Sequence, residues 1–154
     1  MSTLPKQGED EEDHKENIIA ILQEIEIMKK LKHPNTVGFV DHCKSPTAHY
    51  LFMEFCSEGD LKKFIPLFNQ GKYGEQSIQT LRESDAKYVI REIVQGLDYL
   101  SSKMIMHRDI KPDNIMVNRK PGFRKSDPVE ITNFEFKLGD MGLAKAMFSK
   151  NQLN

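Results

Sequence analysis

The stretch MHRDIKPDN, residues 106–114, concentrates reactive groups: nine positions hold a histidine, an arginine, two aspartates, a lysine and an asparagine. A run this polar does not belong to a hydrophobic core. A carboxylate can accept a proton from a hydroxyl group, an ammonium group can neutralise negative charge, and carboxylate and amide oxygens suit magnesium. These groups together suit acid–base and metal-assisted chemistry, and an ordinary polar turn is the alternative interpretation.

The elements around this stretch are a long amphipathic helix before it and two strands after it. Apolar residues recur at helical spacing from Ala86 to Leu100, with Ser84 as the expected N-cap. NIMVN at 114–118 and FEFKLGD at 134–140 are typical of strands, and a loop rich in basic residues joins them. The polar stretch is therefore predicted to lie between a helix and a hairpin.

The first half of the chain is predicted to begin without regular structure. Residues 1–16 contain the acidic run EDEED and little that can be buried. The regular elements expected after it are a helix from its cap Asn17 to the HPN segment at 33–35, antiparallel strands TVGFVDH (36–42) and HYLFMEF (49–55), and a short helix from Leu61 to Phe68.

Residues 105–117, IMHRDIKPDNIMV, resemble the catalytic loop of eukaryotic protein kinases. The similarity continues through EIEIMKKLKHPN, YLFMEFCSEGDL and KLGDMGLAK, so it covers residues 17–146. The asparagine at the fifth position after the HRD aspartate makes the match far more specific than HRD alone. The resemblance implies an α+β, protein-kinase-like fold: a partial small lobe with helix C and strands, a hinge, and the first part of the helical large lobe.

The resemblance assigns the chemistry of phosphoryl transfer to four residues. Asp109 is expected to accept the proton of the substrate hydroxyl, and Lys111 to place a cation beside the moving phosphate. Asn114 and Asp140 are expected to hold two Mg²⁺ ions that bridge the phosphates of ATP.

Two residues of the small lobe are assigned to the nucleotide. Glu24 resembles the helix-C glutamate that holds the ATP-binding lysine, and Met53 resembles the gatekeeper. On a helical wheel Glu24 lies between Met28 and Leu31, near the apolar stripe, and a charge on the buried side of a helix requires a partner.

The hinge and the floor of the nucleotide site are assigned in the same way. The backbone of Glu54 to Cys56 is expected to bind adenine, Asp60 to contact the ribose, and Met116 to lie beneath the base. Plain core packing is the alternative for the two methionines, Met53 and Met116.

Three further residues of the resemblance have structural roles. His107 resembles a residue of the hydrophobic spine, and Arg108 is placed to pair with a phosphorylated activation loop. Met141 stands where the family usually has phenylalanine, and its flexible apolar side chain can replace the packing of that ring.

Two parts of the kinase pattern are absent from these 154 residues. There is no G-x-G-x-x-G, and Lys6, which has the spacing of the strand lysine relative to Glu24, follows Pro5 in a segment unsuited to a central strand. The sequence ends twelve residues after Gly142, before any A-P-E. Residues 17–154 are therefore expected to be a truncated kinase domain, inactive alone. A non-catalytic kinase-like binding module and an incomplete gene product are the alternatives.

The expected partner is a protein substrate. DIKPDN resembles the pattern of Ser/Thr kinases, and Asp60 and Asp113 suggest a preference for basic residues before the acceptor. The apolar face of the helix at 84–103 is expected to be exposed, which favours aggregation or a protein partner.

Composition argues against other kinds of partner. With 22 basic and 23 acidic residues, the net charge of −1 gives no reason to expect nucleic acid or a membrane surface. Cys43 and Cys56 have no metal-ligand or disulfide spacing, and no run is long enough to span a membrane. The expected location is cytoplasmic, with the nucleus as the alternative.

Overall fold

The computed structural model describes residues 7–46, 48–74, 80–124 and 128–146, which form mixed helices and small antiparallel sheets. The α-helices of this part are α1 (Gln7–Lys30), α2 (Leu61–Tyr73) and α3 (Glu83–Ser102). Its strands are β1 (Phe39–Lys44), β2 (His49–Met53), β3 (Gly59–Asp60), β4 (Ile105–Met106), β5 (Ile115–Arg119), β6 (Phe134–Leu138) and β7 (Lys145–Ala146). Single 3₁₀ turns at Pro112–Asn114 and Ile131–Asn133 lead into β5 and β6. The strands pair as β1–β2, β3–β5–β6 and β4–β7.

The first helix is longer than predicted. It begins at Gln7, so the expected cap Asn17 lies inside the helix and residues 7–16 are helical instead of irregular. Glutamine, glutamate and lysine, which fill much of this segment, are good helix formers. Residues 1–6, including Lys6, lie outside the described residues. The end at Lys30, with Lys29 and Lys30 in the last turn, confirms the predicted C-terminus before HPN.

The buried end of α1 joins the core that supports the polar loop. Ile27, Met28 and Leu31 pack in one cluster with residues from α3, β4, β6 and the segment after β6: Leu100, Ile105, Leu138 and Met141. The burial of Met141 agrees with the packing role expected for it. α1 is thereby fixed against the strand end that carries Asp140.

The helices on the other side of the polar loop differ from prediction at their ends. Asp60 caps the start of α2. The helix continues to Tyr73, five residues beyond Phe68, and ends there because Gly74, with φ of 73°, takes the left-handed conformation that closes a helix. α3 begins at Glu83 with Arg82 at the N-cap, so Ser84 lies in the first turn and is not the cap. The two helices share a second core with β5 and β6: Leu61, Phe64, Phe68, Val89, Ile115, Val117, Ile131, Phe134 and Phe136.

The strands after the polar loop form as predicted, in antiparallel register. Val117 lies opposite Phe136, and Met116 opposite Lys137. β1 and β2 also pair as predicted, and the backbone N–H of Ser45 bonds to the Ala48 carbonyl at 2.8 Å in the turn between them. No helix in the described part of the chain is long and apolar enough to cross a membrane.

Candidate active site

Asp109, Lys111 and Asn114 lie together in the loop between β4 and β5. The Lys111 ammonium donates to Asp109 Oδ2 at 2.6 Å, and Asn114 Nδ2 donates to the same oxygen at 2.8 Å and to the Asp109 carbonyl at 3.0 Å. Asp109 Oδ1 receives no hydrogen bond from the described residues. The carboxylate is therefore held by one oxygen while the other remains available.

Hydrogen bonding keeps Asp109 ionised. The hydrogen bond from Lys111, and after it that from Asn114, lowers the pKa of the Asp109 carboxyl below its ordinary value. The same bond with Asp109 raises the pKa of Lys111, with smaller contributions from the charges of Asp113 and Asp140. At neutral pH the site thus holds a carboxylate and an ammonium group in contact.

The buried ring of His107 ties this loop to the end of β6. Its Nε2 lies 2.9 Å from the Gly139 carbonyl, and its Nδ1 lies 3.3 Å from the backbone N–H of Asp109. Since a carbonyl only accepts and a backbone N–H only donates, these contacts require the neutral tautomer with its proton on Nε2. Gly139 also donates to the Asn114 carbonyl at 2.9 Å, so the backbone before Asp140 is fixed from two directions.

Close packing makes Gly139 a tight position for any side chain. A Cβ there would lie 3.0 Å from Met116 Cγ and 3.3 Å from Val37 Cγ2. Gly139 was not among the predicted site residues, although its place immediately before an acidic residue at a strand end was a usable signal.

Asp140 has a left-handed backbone conformation, with φ of 53°. Its Oδ1 accepts the backbone N–H of Gly142 at 3.2 Å. Arg108, at φ of 68°, donates from Nε to the Leu143 carbonyl at 2.5 Å. The arginine expected to meet a phosphate therefore contacts the backbone that follows Asp140. Left-handed conformations at two residues without a glycine's freedom are costly and require support from their surroundings.

Glu24 of α1 approaches Asp140. Burial, and next the charge of Asp140, raises the pKa of the Glu24 carboxyl above its ordinary value. A Cβ on Gly142 would lie 3.2 Å from Asp140 Oδ1 and 3.7 Å from Glu24 Oε2, which places both carboxylates beside this glycine. In the described part of the chain no basic side chain forms an ion pair with Glu24. The position predicted for Glu24, on the buried side and in need of a cation, agrees with this geometry.

Asn114 and Asp140 offer oxygen atoms that suit a magnesium ion bound to the phosphates of a nucleotide. Asn114 uses its Nδ2 for Asp109, which leaves Oδ1 as an oxygen ligand, and Asp140 offers a carboxylate. Among the described residues no group of three or more His, Cys, Asp or Glu side chains forms a metal site. A small protein ligand set suits Mg²⁺, which keeps several waters and takes further oxygens from phosphates.

The residues predicted to bind adenine follow β2. Met53 is the last residue of this strand, and the side chain of Cys56 is buried. The backbone N–H of Glu54 donates to the Gly38 carbonyl at 2.8 Å, while Glu54 Oε2 accepts the Gly38 N–H at 3.1 Å. Met116 of β5 pairs with Asp60 of β3, which brings the expected floor and ribose residues together.

Asp60 has a role that the sequence analysis missed. Its Oδ1 accepts the backbone N–H of Lys63 at 2.9 Å, as the N-cap of α2, and its Oδ2 lies 2.7 Å from the Lys63 ammonium. These contacts lower the pKa of Asp60. An acidic residue immediately before an apolar helical pattern was the available signal.

Comparison with known proteins gives the class of this molecule. Residues 3–154 match the model of the protein kinase domain, so the chain belongs to the protein kinase family. It is 33% identical over 127 residues to the serine/threonine-protein kinase ULK1 of Homo sapiens, which covers 82% of this chain and 11% of that protein.

Two further relatives show the same coverage. The chain is 34% identical over 128 residues to the serine/threonine-protein kinase unc-51 of Caenorhabditis elegans, covering 81% of the chain and 13% of the relative. It is 33% identical over 129 residues to the serine/threonine-protein kinase RAD53 of Saccharomyces cerevisiae, covering 84% and 13%. The matched region is thus a small part of each relative's length.

Proposed function

We propose that this chain carries the catalytic loop of a protein kinase that transfers phosphate from ATP to serine and threonine. The observation that supports this most directly is the contact of Asp109 with both Lys111 and Asn114. Hydrogen bonds of Gly139 with the same loop set the backbone beside Asp140. Positioned charge of this kind is the main requirement of phosphoryl transfer.

Each of the four polar residues has a separate task in the proposed reaction. The free oxygen of Asp109 accepts the hydroxyl proton and orients the nucleophile. The Lys111 ammonium lies 2.6 Å from the other oxygen of the same carboxylate, Asp109 Oδ2, and supplies positive charge there. Asn114 Oδ1 and the Asp140 carboxylate hold magnesium. When bound, Mg-ATP supplies the phosphoryl group and the neutralisation of its charge.

The proposed substrate is a protein with basic residues before the acceptor. Asp113 and Asp60 are paired with Lys62 and Lys63 of α2, at 2.9 and 2.7 Å. Both partners of the Lys62–Asp113 pair are exposed, so this pair is weak, whereas in the Lys63–Asp60 pair only the lysine is largely exposed. An arginine of a substrate can form two parallel bonds with the Asp113 carboxylate and displace Lys62, whereas at Asp60, whose Oδ1 caps α2, it can replace only the Lys63 ammonium at Oδ2.

The 154-residue chain alone is proposed to transfer phosphate slowly. Its sequence has no G-x-G-x-x-G to cover the phosphates, and Glu24 has no cation among the described residues to hold against the nucleotide. Donors and ions that are not preorganised stabilise a transition state poorly. Binding of adenine relies on the hinge backbone and is expected to survive.

Calorimetric titration of the purified chain with ATP at several magnesium concentrations tests the proposal. We expect Mg²⁺-dependent binding that Asp140→Ala weakens and Asp109→Asn leaves nearly unchanged, because only the former removes a metal ligand. Absence of ATP binding at every magnesium concentration would contradict the proposed function. Incorporation of label from ATP into a basic protein, lost in Asp109→Asn, would instead show that the chain alone is an active enzyme.

A non-catalytic binding module is the second candidate. Ile90 and Val94, one helical turn apart on α3, are 59% and 53% exposed and offer an apolar strip to a partner. This candidate predicts a partner complex that survives Asp109→Asn and Asp140→Ala and is lost on Val94→Lys. Loss of the complex in the two aspartate variants would favour a role that depends on nucleotide.

A further inference from the structure

β6 contains a buried lysine that none of these roles uses. Lys137 is 6% exposed and lies between Phe136 and Leu138, which are also buried. Removal of an ammonium group from water is costly unless charged partners and hydrogen bonds compensate. The contacts of Lys137 therefore indicate what keeps it there.

The nearest partner of Lys137 is the hinge residue Glu54. The Lys137 ammonium lies 3.0 Å from Glu54 Oε1 and 3.7 Å from Glu135 Oε2. The second oxygen of Glu54 accepts the Gly38 N–H at 3.1 Å, and the Glu54 N–H donates to the Gly38 carbonyl at 2.8 Å. One chain of contacts thus runs from β6 through the Glu54 side chain to the segment before β1.

The position of Lys137 in the sheet directs it to the nucleotide side. Lys137 and Met116 are cross-strand partners, and side chains of directly opposed residues lie on the same face of a sheet. Met116 is the residue expected beneath the base, and it also pairs with Asp60. The ammonium is close enough to Cys56 to oppose, in part, the rise that burial and the charge of Glu54 cause in the pKa of that thiol. The Lys137 ammonium thus contacts Glu54 and lies near Cys56, the two ends of the hinge at residues 54–56.

We propose that Lys137 is a positioning residue for adenine recognition. Through Glu54 it fixes the backbone of residues 54–56 in the position that binds the base. This inference rests on the proposed binding of ATP at the hinge. Lys137 itself does not contact the nucleotide. Because β6 also leads directly to Asp140, one strand sets both the adenine end and the metal end of the site.

Loss of the ammonium has two consequences. The Glu54 carboxylate is left half-buried beside Glu135 without its cation, and it can leave Gly38 to reach water. The hinge then binds adenine from a broader set of conformations, which lowers affinity by the fraction of competent ones. We expect Lys137→Met to weaken adenosine binding about tenfold, which is less than the loss of a buried ion-pair partner that contacts a ligand directly, because Lys137 acts through Glu54 and Glu54 is partly exposed.

The test uses adenosine, which carries no phosphate and so reports on the hinge alone. Adenosine affinity of the 154-residue chain is measured by calorimetry for the wild type, Lys137→Met, Lys137→Arg and Glu54→Gln. Lys87→Met is the matched control, since Lys87 pairs with Glu83 at 2.7 Å on the exposed surface of α3. Amide hydrogen exchange of Glu54 is followed in the same proteins, because its N–H bond to Gly38 reports on the hinge without ligand.

The expected result is weaker binding and faster Glu54 exchange in Lys137→Met, recovery of both in Lys137→Arg, and no change in Lys87→Met. Glu54→Gln keeps the shape of the side chain and is expected to give the same two changes if Lys137→Met does not fold. Wild-type affinity and exchange in the Lys137 or Glu54 variant would overturn the inference. If no protein binds adenosine, the proposed function fails, and the exchange rates alone still decide whether Lys137 fixes the hinge.

Discussion

The proposed reaction gives Asp109 and Asp140 different roles: Asp109 orients the substrate hydroxyl, and Asp140 holds magnesium. In a form of the domain that transfers phosphate, we expect Asp109→Asn to lower the rate about 10²- to 10⁴-fold, the usual contribution of a positioned base, with nucleotide affinity nearly unchanged. Steady-state rates and ATP titrations of mutant and parent check this. Equal rates in the two proteins would rule out Asp109 as the group that orients the hydroxyl.

The ion pair of Asp109 and Lys111 affects the pH range over which the Asp109 carboxyl is ionised. The hydrogen bond from Lys111 lowers the pKa of Asp109, so Lys111→Met is expected to raise it toward the ordinary value. A group with a depressed pKa in the folded state stabilises the fold above its unfolded pKa, and this contribution is lost as pH falls through the folded pKa. Carbon-13 NMR titration of the Asp109 carboxyl measures the shift, with Lys87→Met as control. A titration midpoint that does not move would show that Lys111 is not the main cause.

Single residues were predictable where their chemistry follows from order along the chain. The resemblance of residues 105–117 to the kinase catalytic loop assigned Asp109, Lys111 and Asn114 to one site, and the structure has their side chains in contact. Lys137 was missed because its partner Glu54 is 83 positions away, and strand patterns carry no information on such pairs. A lysine between two apolar residues of a buried strand was nevertheless a visible signal.

The ends of helices and strands were predicted with unequal accuracy. The strands β5 and β6 were predicted within a residue or two because apolar alternation and flanking polar loops are local. α1 was predicted ten residues too short because acidic composition was taken as a sign of disorder although its residues favour helix. Ser84 was taken as a cap, but the first turn of α3 starts one residue before it.

Packing between elements makes two helical glycines differ. A Cβ at Gly96 of α3 would lie 2.7 Å from the Asn35 carbonyl and 2.9 Å from Leu138 Cδ1, whereas at Gly71 of α2 the nearest atom is 3.7 Å away, on Val129. We expect Gly96→Ala to destabilise the chain by about 1–3 kcal/mol through overpacking. Gly71→Ala is expected to stabilise it by about 0.5–1 kcal/mol through helix propensity. Urea unfolding of both variants measures this, and shifts of the same sign would contradict the close approach of α3 to the HPN segment.

At the scale of the whole molecule, α3 connects the two hydrophobic clusters. Val89 belongs to the cluster with α2, Leu100 to the cluster with α1, and Ile93 packs against both. The polar loop that holds Asp109 follows α3 and the short strand β4, and its His107 and Asn114 are hydrogen-bonded to Gly139 at the end of β6. The position of this loop is therefore set by α3, which packs in both hydrophobic clusters, together with the loop's own hydrogen bonds to β6.

The opposite side of α3 carries no such packing, and this determines how the chain is expected to behave in solution. Ile90 and Val94 are exposed although both belong to the apolar pattern of the helix. Exposed apolar strips favour association. We expect self-association of the chain to increase with its concentration, and Val94→Lys is expected to reduce it with little loss of stability because the side chain is already about half exposed. Sedimentation velocity over a concentration series checks this, with Gln95→Lys as the control that adds the same charge at the next position. Equal sedimentation of the two variants would show that charge, and not the apolar strip, governs association.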